Sequence, residues 1–215
     1  VQADVTAAAG LKEPMITVMA SGESGSLFES EKACADQDII MAGYTGGYGA
    51  AKLTFANEAE LENHFNSVFL SPILEADYTG DAISTVKAVE TAAAAGVRTM
   101  YACGEGGVYS AVWELTENAG LGARIQLKKV PLKQETVEIC DYFNISPYQL
   151  LSVGAVLLTA THGQKVLAEL AAAGIPAVII GHLTDDNDRV VLNEEEVRFL
   201  EPFRYESLNQ AKSES

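Results

Sequence analysis

Two short glycine-rich stretches are where this sequence could hold a ligand with backbone alone. Gly104-Glu105-Gly106-Gly107 lies between an apolar run and an amphipathic one, so it reads as a strand-to-helix turn. Such a turn aims several N–H groups at one point from the positive end of a helix, which suits an oxyanion or a phosphate. Glycine also lets a ligand approach backbone that any side chain would block. Glu105 stands where it could contact a polar ligand or a metal-bridged phosphate. These four residues form the first candidate ligand site, the alternative being a tight turn and nothing more.

A second stretch, Gly43-Tyr44-Thr45-Gly46-Gly47-Tyr48-Gly49, also leads from an apolar run into helical spacing. It matches neither the G-x-G-x-x-G nor the G-x-x-x-x-G-K-[ST] pattern, so a turn that needs positive φ and close packing is the favoured reading. Gly46, Gly47 and Gly49 remain the secondary candidate, together with Cys103, the one cysteine placed beside a glycine turn where a thiol could react. Cys140, on the apolar side of a helix, reads as core. Gly22-Glu23-Ser24-Gly25 misses the G-x-S-x-G nucleophile elbow by one residue. His64, His162 and His182 have no second ligand three or four residues away. Residues 185–188 lack the glycine and distal glutamate of a calcium loop, and residues 194–196 read as a charged turn. No metal site is expected, and the catalytic residues stay unassigned.

Alternating signals position these turns. Strands are expected at 15–19, 38–42, 97–102, 124–127, 153–159 and 177–180, with a hairpin-like pair at 189–192 and 197–200. Helices are expected from about residue 50 to 65 in two parts, then from an Asp81 cap through Ile83, Val86 and Val89 to the stop at Gly96. Others cover 108–119 up to Gly120, 134–143 after Pro131, and 163–173 up to Gly174. Trp113 is expected to pack on the sheet. The alternation, with small Ala-rich helices that can lie close to a sheet, gives an α/β sandwich.

Composition narrows the function. The chain of 215 residues is 48% apolar, and 14 Lys and Arg against 30 Asp and Glu leave a net charge of −16. Such a surface repels phosphate backbones and anionic lipids, which argues against nucleic-acid and membrane roles. The longest apolar stretch, about residues 150–160, is broken by Ser152 and Thr159 and falls well short of the roughly 20 residues that span a bilayer. Three separated cysteines point to a reducing, cytoplasmic setting. The start, Val1-Gln2-Ala3-Asp4, is no signal peptide and has no Met, so the chain is expected to be processed or cut from something longer.

The runs Gly106-Gly107-Val108-Tyr109-Ser110-Ala111-Val112-Trp113-Glu114-Leu115, Val130-Pro131-Leu132-Lys133-Gln134 and Asn144-Ile145-Ser146-Pro147-Tyr148 resemble the carboxy-terminal domain of the AIR synthase-related proteins. The likeness continues through Ile179-Ile180-Gly181 and Asp188-Arg189-Val190-Val191. That group includes aminoimidazole ribonucleotide synthetase, selenophosphate synthetase, thiamine-monophosphate kinase and the hydrogenase maturation carbamoyl-dehydratase. The resemblance implies a mixed, largely antiparallel sheet with helices packed on it. It also implies a domain layout: residues 1–14 as a linker from an amino-terminal ATP-binding domain, 15–203 as the carboxy-terminal domain and 204–215 as a polar tail. ATP and magnesium would belong to that other domain, with no cofactor in this chain. The full-length protein would bind ATP and activate a small substrate or a maturation intermediate by phosphorylation. A small phosphorylated ligand is the implied partner, and a homodimer is compatible with it.

The sequence also departs from the group. Where the family loop reads acid-x-Thr-x-Gly-Gly, this chain has Ala102 and Gly104. A carboxylate and a hydroxyl that would meet phosphate or magnesium are gone, and whether the full protein is an enzyme stays open. Residues 209–215 also lack the cysteine-bearing tail of the hydrogenase maturation protein, so that acceptor role does not carry over. The rival reading is a degenerate binding or protein-interaction domain without chemistry.

Overall fold

Asp38-Ile39-Ile40-Met41-Ala42 forms the strand on which the sheet is built. Its β-branched and apolar side chains suit a pleat buried on both sides, and Ile39 through Ala42 are all buried. In the computed structural model, which describes residues 31–202, this strand is β1. The strand expected at 15–19, the linker at 1–14 and the tail at 204–215 lie outside the described residues.

The chain then forms α1 (Gly47–Ala56), α2 (Glu58–Leu61), α3 (Ser67–Leu74), α4 (Val86–Ala94), β2 (Thr99–Ala102), α5 (Gly107–Ala119), β3 (Gly122–Gln126) and α6 (Gln134–Tyr142). It ends with β4 (Val156–Ala160), α7 (Gly163–Ala172), β5 (Ala177–Thr184), β6 (Arg189–Asn193) and β7 (Glu196–Phe199). Among the described residues, seven strands lie in the order β2-β4-β1-β5-β3-β6-β7. Every neighbouring pair is antiparallel except β3 with β6, so the sheet is mixed and largely antiparallel.

The period-2 alternation of β1 sorts the core. Ile39 and Met41 face α5, whose Val108, Ala111, Val112 and Leu115 repeat at helical spacing. Ile40 and Ala42 face α4 and α7, which pack through Ala88, Ala92, Val166 and Leu170. Alanines on α4 keep it close to the sheet. A third apolar cluster joins α1, α2, α3 and α6 through Ala50, Leu61, Leu70, Ile73 and Ile139.

Several expectations shift. Asp81 does not cap α4: it sits in a 3-10 turn, Gly80–Ile83, and α4 starts at Val86 with Thr85 as its N-cap. The helix α3 is additional; Asn66 caps it by accepting from the Phe69 N–H at 2.9 Å, and Pro72 lies inside it. Strand β4 begins three residues later than 153, and β5 runs on to Thr184. Trp113 is only half-buried: its ring packs against the α5 side of the core on one face and carries the Arg189 guanidinium 4.4 Å from its centroid on the other. Arg189 also donates to Thr116 Oγ1 at 2.7 Å and pairs with Glu117 at 2.6 Å, which fixes β6 to α5. None of the described helices is long and apolar enough to cross a membrane.

Candidate functional site

Strands β1 and β2 both pair antiparallel with β4, so they run in the same direction and end at the same edge of the sheet. Ala42 and Ala102 both stand opposite Val156. The two glycine turns that follow them therefore open at one end of the molecule, on either side of the start of β4. They are built alike. Gly46 and Gly106 are N-caps in the left-handed region, at φ 72° and 75°, and each hands the chain directly to a helix. In each, the N–H of the fourth residue along (Ala50, Ser110) returns to the N-cap carbonyl, at 2.9 and 3.1 Å.

The connector between α6 and β4 fills the gap between them. Gly49 N–H donates to Leu151 O at 2.9 Å and Tyr109 N–H to Tyr148 O at 3.3 Å. Ser152 joins the two turns. Its N–H donates to Gly104 O at 3.1 Å, and its Oγ accepts from the Gly46 N–H at 2.8 Å while donating to Leu150 O at 2.7 Å. With that proton committed, the Thr45 hydroxyl is the donor in its 3.0 Å contact with Ser152 Oγ. Both hydroxyls are fully buried, so the network is satisfied internally. Sequence reasoning missed Ser152; its signal was a lone polar residue interrupting the apolar stretch at 150–160.

This packing explains several glycines without a ligand. A Cβ on Gly46 would sit 2.8 Å from Pro147 O, one on Gly49 2.5 Å from Leu150 Cγ, and one on Gly107 2.7 Å from Leu150 O. Gly47 and Gly104 differ: a Cβ there meets nothing within 4 Å. They are the bare points of the two turns. Among the described residues, the N–H groups of Gly47, Tyr48, Glu105 and Gly106 have no hydrogen-bond partner.

The surroundings then separate the turns. Gly104, Glu105, Ser110 and Glu114 line a groove of about 300 Å³ whose charged groups are both carboxylates. These repel an anion brought to the helix end. The first turn opens on a cavity of about 510 Å³ between the starts of α1, α4 and α6. Lys87 and Lys133 line it together with Asp77, Asp81 and Glu135, and Tyr44, Tyr48 and Tyr78 supply aromatic wall. Lys133 Nζ lies 5.4 Å from the Tyr44 ring centroid. Partial burial, with Glu135 nearby, raises the Tyr78 hydroxyl above the usual phenol range. The secondary candidates Gly46, Gly47 and Gly49 thus stand beside the larger and electrostatically mixed cavity.

Cys103 does not fit a reactive role. It is 4% exposed, its N–H is tied to Ala155 O at 2.9 Å, and burial pushes the thiol up to about 12. Cys140 is buried in the α1/α3/α6 cluster, as expected of a core thiol. No group of three His, Cys, Asp or Glu side chains able to hold a metal ion occurs among the described residues.

Comparison with known proteins adds to this geometry. The family described as AIR synthase related protein, C-terminal domain, matches residues 45–193. Two curated relatives are carbamoyl dehydratases HypE: one from Rhizobium leguminosarum bv. viciae, 25% identical over 169 residues, and one from Rhodobacter capsulatus, 26% identical over 137. The matches cover 75% and 64% of this chain but only 45% and 37% of those proteins. Among solved structures, E. coli HypE, a hydrogenase maturation protein, superposes with a TM-score of 0.63 at 18% identity, covering 86% of this chain and 55% of that one. A HypE–HypF complex gives 0.65 at 19% identity, with 80% and 54% covered. T. maritima PurL complexed with ATP gives 0.54 at 17% identity, with 81% and 26% covered. At these identities the structures speak for the fold alone.

Proposed function

Because the chain belongs to the family of AIR synthase related C-terminal domains, we propose that it is the corresponding part of a HypE-like hydrogenase maturation protein. The whole protein binds ATP with magnesium on another domain and activates a small substrate or maturation intermediate by phosphorylation. This chain contributes the substrate side. The observation that carries this reading is the convergence of two glycine turns, with open backbone at Gly47 and Gly104 and a helix start in each, on one end of the sheet. The cavity of about 510 Å³ beside the first falls in the usual range for small-molecule sites. Its paired signs of charge suit a polar molecule that is not itself a polyphosphate, while Gly104, Glu105, Gly106 and Gly107 border the place where the phosphoryl group would arrive.

One observation favours the second reading, a binding domain without chemistry. Ala102 and Gly104 occupy the positions where the family resemblance places a carboxylate and a threonine hydroxyl, and Glu105 is the nearby acid that remains. A chimera tests both. Residues 38–202 of this chain replace the matching part of R. leguminosarum HypE, and hydrogenase maturation is measured in a strain lacking its own. Maturation by the unaltered chimera supports the first reading. Maturation only after Ala102→Asp and Gly104→Thr supports the second. A folded chimera that is inactive in both forms counts against a maturation role of either kind.

A further inference from the structure

Among the described residues β7 is the last strand of the sheet, paired with β6 on one side and with nothing on the other. Its register runs from Phe199 opposite Val190 to Glu196 opposite Asn193 without a bulge, and the strand has neither proline nor lysine. Edge strands that stay single usually carry one of these devices to turn other strands away. The opposite edge strand, β2, is half-buried along Thr99, Met100 and Tyr101, whereas all four residues of β7 are exposed. Pairing also sorts the two faces. Arg189 and Val191 of β6 meet the α5 side, so Val190 and Leu192 look the other way, and Phe199 and Val197 lie beside them. The helices on that face, α4 and α7, lie over β4, β1 and β5. Val197 and Phe199 are left 56% and 66% exposed.

The backbone fixes which groups point outward. Leu200 N–H donates to Arg189 O at 2.8 Å, and alternate residues of an antiparallel strand share one direction, so Arg198 and Glu196 commit their N–H and C=O groups to β6. Those of Val197 and Phe199 face the open edge and have no partner among the described residues. The charges of β7 are of both signs: Glu196 and Arg198 share the α5 side of the strand and pair with each other at 2.6 Å. A second copy meeting this edge about a two-fold axis can bond only outward groups to outward groups. Centred on Glu196 or on Arg198, that pairing opposes like charges; centred on Phe199, it runs off the end of the strand. Centred on Val197, it sets Glu196 opposite Arg198 of the second copy, once on each side of the axis, and Val197 opposite its own counterpart. In charge, β7 is complementary to itself.

We propose that β7 pairs antiparallel with β7 of a second copy of this chain, centred on Val197, and so joins two sheets edge to edge. The interface is isologous and uses strand addition, in which main-chain hydrogen bonds supply affinity and alternate side chains supply specificity. Val197 and Phe199 of both copies form its apolar face, and the two Glu196 and two Arg198 side chains form the other. Opposite charges directly across antiparallel strands stabilise the pair, and like charges destabilise it. The net charge of −16 on each chain opposes association at a distance. Salt at physiological strength screens that repulsion beyond about 8 Å, while side chains on strands about 5 Å apart keep their pairs. β7 takes no part in either glycine turn, so this pairing stands or falls independently of the proposed function.

Sedimentation velocity of the 215-residue chain, from about 10 μM to about 1 mM at physiological ionic strength, reads the association. A monomer–dimer equilibrium is expected within that range. Glu196→Arg and Arg198→Glu each convert both cross-strand pairs into like-charge contacts, so each should raise the dissociation constant by about tenfold or more. The double variant, Glu196→Arg with Arg198→Glu, restores opposite charges and should return it to within about threefold of the parent. Val197→Lys sets two lysines against each other on the axis and should abolish the dimer. All these side chains are exposed, so the variants should fold, and circular dichroism with thermal melting checks that they do. A chain that stays monomeric throughout overturns the proposal. So does a dimer that either single charge swap leaves unchanged, or that the double swap fails to recover in a folded protein.

Discussion

The two glycine turns share an N-cap geometry and a common support, yet they meet different surroundings. Around residues 104–107 the helix end faces Glu105 and Glu114 across a shallow groove. Around residues 43–49 it faces a larger cavity with lysines among its carboxylates. Bare backbone is common to both helix ends, and the charges beside it are what differ. Within each turn there is a second contrast: Gly46 and Gly107 are glycine because the connector passes close by, whereas Gly47 and Gly104 have open space.

The largest expected effect comes from filling the packed positions. Gly107→Ala and Gly46→Ala place a side chain at φ +60° and +72°, where an L residue costs about 1–2 kcal/mol. They also push a methyl against connector carbonyls, at a further cost of about 1–3 kcal/mol. Each should lower unfolding free energy in urea by about 3 kcal/mol. A loss under about 1 kcal/mol would mean that the connector does not seat on the turns as described.

Ser152→Ala should cost about 2–3 kcal/mol, because the Gly46 N–H and the Thr45 hydroxyl lose their buried partner. It spares the backbone bond from residue 152 to Gly104 O. Hydrogen exchange should therefore accelerate at Gly46 far more than at Gly107, whose N–H is held by Gly104 O. Equal acceleration at both turns would erase the distinction between them.

Thiol chemistry probes the second turn from beneath. Burial raises Cys103 from an ordinary value of 9.0 to about 12, and Cys140 to about 11. A raised pKa in the folded state means the protonated thiols contribute stability that is complete below about pH 9 and lost as pH climbs through that window. At pH 8 a thiol reagent should modify Cys34, the exposed cysteine, and spare the other two until the protein unfolds. Rapid modification of Cys103 would show that the turn at 104–107 lifts off the connector.

Much of the scaffold was legible because its signals are local. The bounds of β1 follow from an apolar run ended by Gly43, and α5 and α7 follow from apolar spacing closed by Gly120 and Gly174. The helix α3 escaped because Pro72 looks like a breaker when read alone, although its neighbours bury Leu70 and Ile73 in the helical cluster. Asp81 was a plausible cap lost to the 3-10 turn. The site was less legible. Its larger cavity gathers residues 77–88, 133–136 and 174–176, which no spacing rule brings together. Ser152 and Thr159 were visible only as polar breaks in an apolar stretch, and one proves satisfied while the other is alone.

The smallest expected effect is the most selective. Gly47 and Gly104 lie outside the positive-φ region and have nothing within 4 Å of an added Cβ, so Ala fits both. Gly104→Ala should change stability by no more than about 0.5 kcal/mol. Gly47→Ala should be neutral or gain up to about 1 kcal/mol, since it opens α1 and Ala restricts the unfolded chain. Urea denaturation of the four alanine variants should thus split into a costly pair, 46 and 107, and a silent pair, 47 and 104. If Gly104→Ala costs as much as Gly107→Ala, the second turn needs glycine throughout for its own folding, and no bare backbone is left there to explain by a ligand. If it is silent, the absence of a side chain at Gly104 serves no purpose in packing, and approach by another molecule is the physical reason that remains.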